Sequence, residues 1–278
     1  HRHARMHCFH IFHGQGRNGK GVIIGALNEV LGDLAAPVPA EMLLDQGKNS
    51  RSAAAPTPEI MALRGLRIAY GSETDEGRKI STSRAKWLSG GDKLVGKYPY
   101  DKYLTTFDPT HTLFLITNHK PHAPASDFAF WERAKLISHP VSFVDREPRA
   151  ANERHQDKDL PDKLKAELPG IAAWLVQGCL LWQRDGLAPP DTVVSATAEY
   201  RREEDFVAEF IEERCLVGAE FQAKASDLYS AFVEWFHDTI GKFEPSQRKF
   251  GTALQQMPGI ERRKDVVYKY FGIGLVED

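Results

Sequence analysis

The stretch FHGQGRNGKGVII, Phe12 to Ile24, decides the fold. An apolar-leaning run, Phe9 to Phe12, enters a glycine-rich turn, and a helix-like run, Val22 to Leu31, leaves it. Gly14, Gly19 and Lys20 fit the pattern G-x-x-x-x-G-K, the phosphate-binding loop. Small residues let backbone N–H groups turn inward, the helix N-terminus adds partial positive charge, and the lysine reaches the terminal phosphates. Gly14, Gly16, Asn18, Gly19, Lys20 and Gly21 are therefore expected to line a nucleotide. The pattern ends in Ser or Thr, whose hydroxyl holds Mg²⁺, and here that position is Gly21.

Composition sets the frame around that loop. The chain has 278 residues, 42% apolar and 27% charged, which suits one large or two modest globular domains. No apolar run approaches the ~20 residues of a membrane span, and the His- and Arg-rich start lacks the apolar centre of a signal peptide. Three separated cysteines, Cys8, Cys179 and Cys215, fit a reducing cytoplasm better than a disulfide framework or zinc site. The formal net charge of −2 means that any nucleic-acid contact must come from a local patch. The abrupt start suggests missing N-terminal partner domains.

Outward from the loop, Ala35 to Thr57 reads as mostly loop, with a short helix around Glu41 to Leu44. Leu66 to Tyr70 reads as a buried strand running into GSETDEG, residues 71 to 77. Carboxylates at a core strand's end can hold Mg²⁺ and polarise water; Glu73 is the first candidate, with Asp75 and Glu76 behind it. Arg84 to Leu88 reads as a helix. Residues 93 to 107, KLVGKYPYDKYLTTF, read as a β-hairpin bearing Lys93, Lys97, Lys102 and three tyrosines, suited to gripping a phosphate backbone. Thr112 to Thr117 is a core strand ending in Asn118, whose amide can orient water or sense a terminal phosphate. Phe128 to Ile137 follows, anchored by Phe130 and Trp131; Arg133 suits a charge-stabilising finger on a transferring phosphoryl group.

The series GQGRNGKG, GSETDEGR, WLSGGDKLVGKY, LFLITNHKP and FWERAKLI resembles the motor of phage and plasmid primase–helicases, superfamily III helicases related to the poxvirus primase–helicase. The resemblance spans roughly residues 5 to 278. It implies an AAA+-like α/β ATPase that forms a hexameric ring around DNA, with ATP and Mg²⁺ as cofactors. Lys20 would bind phosphates, Glu73 would be the acidic box, and Asn118 the sensor; the strand-end reading adds Asp75 as a second candidate Mg²⁺ ligand. Arg133 would reach a neighbour's ATP, and Lys97 and Lys102 would face DNA in the pore. Two departures stand out: Gly21 removes a metal ligand, and Glu132 replaces an arginine common in the family. The primase part of the family is not in this chain, and the resemblance places it in a bacterial host's cytoplasm.

Helices are expected over Leu160 to Leu168 and Ile171 to Arg184, with Ile171, Trp174, Leu175, Cys179 and Trp182 forming one buried face. The ATPase domain is then 1–185, a linker 186–202, and a second domain 203–278. In the latter, helices Asp205 to Arg214, Ser226 to Thr239 (N-capped by Ser226) and Ser246 to Met257 precede strands Ile260 to Lys264 and Val266 to Phe271, the outline of a winged helix. Lys242 to Tyr270 holds seven basic and three acidic residues, although 201–278 is net −4. That asymmetry predicts a DNA-binding face carrying Arg248, Lys249, Arg262, Arg263 and Lys264. The reading is an ATP-dependent DNA helicase module. Its rivals are an assembly protein that has lost turnover through Gly21, and an initiator-type DNA remodeller.

Overall fold

The computed structural model describes residues 7–46, 55–72, 77–241, 244–264 and 267–276. Two compact units, His1–Arg201 and Arg202–Asp278, divide the chain. In the first, β1 (Phe9–His13) is followed by α1 (Lys20–Leu31), β2 (Ala35–Pro37), α2 (Pro58–Met61), β3 (Ile68–Ser72) and α3 (Thr82–Leu88). Then come β4 (Leu94–Gly96), β5 (Thr105–Phe107), β6 (Thr112–Thr117), α4 (Phe128–Trp131), β7 (Ala134–Ser138), β8 (Ser142–Val144) and β9 (Glu153–His155). Helices α5 (Leu160–Ala166), α6 (Leu168–Asp185) and α7 (Asp191–Glu203) close the unit.

Five strands form one sheet in the order β2-β3-β6-β1-β7, and every pairing in it is parallel. This is the α/β sheet of P-loop type that the loop predicts. Parallel strands need apolar residues because other layers cover them; Phe9, Ile11, Leu113, Leu115 and Ala134 are almost wholly buried. Because β1 lies between β6 and β7, the loop leaving it is flanked by the C-terminal ends of those two strands. Such a strand-end crevice is where open α/β sheets bind ligands.

Three expectations need correction. Residues 186–202 are not a linker, because Asp191–Glu203 is a helix fixed to the first unit. The Thr197 hydroxyl accepts from Leu136 N (2.9 Å), capping a main-chain N–H of the edge strand β7. Tyr200 is fully buried edge-on against Trp131 (4.9 Å), and its hydroxyl donates to the Pro121 carbonyl. The expected buried face of α6 is open: no residue of that helix is buried, and Trp174 is 71% exposed. Helix α6 packs on α1, and among the described residues its remaining apolar side is uncovered. The expected hairpin exists as short antiparallel strands β4 and β5, so Lys97, Lys102 and the tyrosines lie in the connecting loop and Lys93 lies just before β4, none of them on the strands.

The second unit runs α8 (Phe206–Arg214), β10 (Cys215–Lys224), α9 (Ala225–Thr239), α10 (Gln247–Gln255), β11 (Glu261–Lys264) and β12 (Tyr268–Leu275). Its antiparallel sheet has the order β10-β12-β11, which adds a strand to the expected three helices and hairpin. The core is aromatic: Phe210, Phe232, Trp235 and Phe250 are buried together, with Phe232 stacked on Phe250 at 4.6 Å. Ser226 is not the cap of α9; the helix starts at Ala225, and the Ser226 hydroxyl bonds Asp227 instead (2.9 Å).

Candidate functional site

The loop after β1 is held from both neighbouring strands. Gly14 N donates to Thr117 O at the end of β6 (3.3 Å), and His139 N, just beyond β7, donates to His13 O (2.7 Å). A Cβ at Gly14 would stand 2.4 Å from the His139 carbonyl oxygen, so only glycine fits there. Gly16 (φ 50°), Arg17 (φ 49°) and Gly19 (φ 80°) adopt the left-handed region. Phe143 N, donating to Arg17 O at 2.7 Å, locks the one non-glycine among them. Helix α1 begins directly at Lys20 with no acidic residue in its first turn, so its N-terminal amides stay available to an anion.

Lys20 is only 6% exposed. Its ammonium donates to Gly14 O (2.5 Å), Asn18 Oδ1 (3.1 Å) and Asn118 Oδ1 (3.2 Å). Burial lowers its pKa below the usual lysine value. A buried cation gathering neutral oxygens is poised to exchange some of them for phosphate oxygens. Asn118 lies 98 positions from Lys20 and arrives through the β1–β6 pairing. The Thr117 hydroxyl turns the chain there, donating to His119 O (2.6 Å) and accepting from His119 N (3.1 Å). Asn18 ties the lysine to the far side, its Nδ2 donating to His139 O (3.3 Å).

His139 was missed by sequence reasoning, because nothing in the SHPVS stretch announces it; sheet pairing alone brings it to the loop. Its imidazole lies 5.0 Å from the Phe12 ring, and burial and then the Lys20 charge push its pKa down. Among the described residues, nothing lies within 4 Å of where a Cβ on Gly21 would stand. Strand β3 ends at Ser72, paired with Ile116, on the same sheet edge as the loop. Glu73, Asp75 and Glu76 lie outside the described residues.

Arg133 is not brought to this loop. It precedes β7, its carbonyl accepts from Phe9 N (3.0 Å), and it sits at the opposite end of the sheet. A five-residue strand is about 16 Å long, beyond an arginine's reach. Its Nη1 donates to Ala129 O (2.5 Å), and among the described residues its buried Nε has no hydrogen-bond partner.

The basic residues fall into two groups. Lys97 is half-buried, and its main chain is held at both N and O by Thr57 (3.1 and 2.9 Å). Lys102 is exposed in the same loop, beside Tyr103 (82% exposed) and the fully exposed Tyr100. In the second unit, Arg248 and Lys249 open α10, and Arg262, Arg263 and Lys264 are exposed along β11. The Arg262 guanidinium stacks 3.9 Å over Tyr268 and that of Arg263 lies 4.9 Å over Phe271. Arg248 and Arg262 line a groove of about 730 Å³ between α10 and the β11–β12 strands.

No family model matches the chain. It is 26% identical over 275 residues to a "Putative helicase" of Acanthamoeba polyphaga mimivirus, covering 94% of this chain and 28% of that protein. A "Putative helicase" of Frog virus 3 is 28% identical over 231 residues, covering 80% of this chain and 23% of the relative. A "Putative primase" of African swine fever virus is 24% identical over 238 residues, covering 82% and 24%. The chain thus spans about a quarter of the length of these curated relatives. Their sources are large DNA viruses, where the sequence reading expected a phage or plasmid. Among solved structures, the apo NrS-1 C-terminal region (305–718) matches 97% of this chain and 68% of its own, with TM-score 0.51 and 13% identity, which shows a shared fold. No helix among the described residues is long and apolar enough to cross a membrane.

Proposed function

We propose, from the chain's kinship with the primase–helicases, that it is an ATP-driven DNA helicase module of a replication protein. The observation that carries this reading is the meeting of Lys20 and Asn118 at 3.2 Å beside the glycine loop. The loop amides and Lys20 hold the phosphates, and Asn118 monitors the terminal one or orients the attacking water. Glu73 and Asp75 would hold Mg²⁺, which supplies charge neutralisation at the reacting phosphoryl group. Arg133 lies too far away to act on its own subunit's nucleotide; in this reading it acts on a neighbour's nucleotide in a hexameric ring. Lys97 and Lys102, with Arg248, Lys249, Arg262, Arg263 and Lys264, contact DNA phosphates, giving sequence-blind, salt-sensitive binding.

One feature favours a second reading, an assembly protein that binds nucleotide and DNA without turnover: Gly21 offers no hydroxyl to the metal. Strand displacement from a forked DNA, with ATP and Mg²⁺, separates the two. The helicase reading expects displacement by the parent chain and none by Lys20→Ala. Nucleotide binding without displacement in the parent, with displacement restored by Gly21→Ser, would establish the second reading.

A further inference from the structure

Beside the loop, on its β7 side, a cleft of about 520 Å³ opens, and its lining includes Gly16, Asn18, His139, Ser142, Asn152 and Glu199. Its volume is that of an ordinary small-ligand pocket. The loop's neighbours give the direction in which a nucleotide would lie. Lys20 and Asn118 meet on the β6 side of β1, so the terminal phosphate belongs there. Phosphates seated that way would run back across the loop toward β7, on whose side the cleft lies.

The charges agree with that direction. Two carboxylates line the cleft, Glu153 and Glu199. Glu153 is committed to Arg146 by two bonds (2.6 and 2.9 Å) and accepts from Arg149 N (2.6 Å). Glu199 is exposed on α7, which is fixed to β7 through Thr197 and anchored by the buried Tyr200. Lys120, also on the wall, has its ammonium 5.6 Å over the Tyr200 ring. A carboxylate repels phosphate but accepts hydrogen bonds from neutral hydroxyls, so this end of the cleft suits a sugar and base. Val141 and Ala196 add apolar surface for a base.

We propose that the nucleoside half of the nucleotide sits in this cleft, and that Glu199 accepts a hydrogen bond from its ribose 2′-hydroxyl. The site then selects ribonucleotides over 2′-deoxyribonucleotides, and α7 is a wall of the nucleotide site. This rests on the nucleotide reading above.

The test is equilibrium binding of the non-hydrolysable β,γ-imido analogues of ATP and dATP to the full chain, by calorimetry. A hydrogen bond to a charged acceptor corresponds to about a tenfold preference for the ribonucleotide. Glu199→Ala is expected to bring that ratio near one by weakening the ribonucleotide alone. Unchanged deoxyribonucleotide affinity serves as the internal check that the variant is folded. Lys20→Ala is expected to lose both ligands. Equal binding of the two by the parent, or a preference that survives Glu199→Ala, overturns the role of Glu199 and leaves the nucleotide reading standing. A parent that binds neither ligand overturns both.

Discussion

The chain carries two kinds of cation, and they are built in opposite ways. Lys20 is 6% exposed and its ammonium is shared among three oxygens fixed by the loop and β6. Arg262, Arg263 and Lys264 are exposed on an antiparallel strand, supported by aromatic ring faces. Burial makes a cation selective, because it is satisfied only by a group that replaces its existing partners with equal geometry. Exposure makes a cation permissive, because any phosphate that displaces counterions is rewarded. The first arrangement suits one nucleotide in one pose, and the second suits a backbone that slides.

The largest effect that would sharpen this contrast comes from Gly14→Ala. The added methyl meets the His139 carbonyl, so the loop must move and nucleotide binding is expected to be lost, as measured by calorimetry. Next is the triple substitution of Arg262, Arg263 and Lys264 by Ala. DNA affinity should weaken evenly across sequences, and the log–log salt slope should fall in magnitude by about 2 to 3. Nucleotide binding should be unchanged. A loss confined to one DNA sequence would break the proposed contrast.

Acid gives a smaller separation. Burial, aided by the Lys135 charge, holds the His10 pKa at about 4, against an ordinary value of 6.5. Above 6.5 the imidazole is neutral in both folded and unfolded states. As the pH falls from 6.5 toward 4, the unfolded chain takes a proton that the folded one refuses, so stability drops by up to about 3 kcal/mol. His111 and His139 are shifted in the same direction. The second unit has one histidine, His237, which is exposed. The first unit should therefore melt at lower temperature as pH falls, and His10→Phe should flatten that dependence in a thermal scan. The smallest effect is expected of Gly21→Ser, which meets no atom of the described residues and should leave the melting temperature within a degree or two.

What could be read from the sequence follows the same division. The loop was legible because a strand, glycines, a lysine and a helix must occur in that order within one short stretch. Asn118 was legible because a polar residue ends an apolar run. His139 and Glu199 were not, because only the β1–β7 pairing and the docking of α7 bring them to the cleft. Helix α7 itself was hidden by the Pro189-Pro190 pair ahead of it and by its polar surface; one wedge, Tyr200, anchors it. Strand β10 escaped because most of its residues are exposed and its pairing with β12 shifts register between Val217 and Gln222. Helix α6 failed in the other direction: its periodicity promised a buried face that the described fold leaves open.

The central claim is that Lys20 and Asn118 form a seat for the terminal phosphate of ATP. Mg²⁺-dependent ATP hydrolysis, with and without single-stranded DNA, tests it on the parent chain, Lys20→Ala and Asn118→Ala. The account predicts DNA-stimulated turnover by the parent and at least a hundredfold loss in each variant, on the scale of a removed electrostatic stabiliser. Turnover by Lys20→Ala at the parent's rate would contradict it.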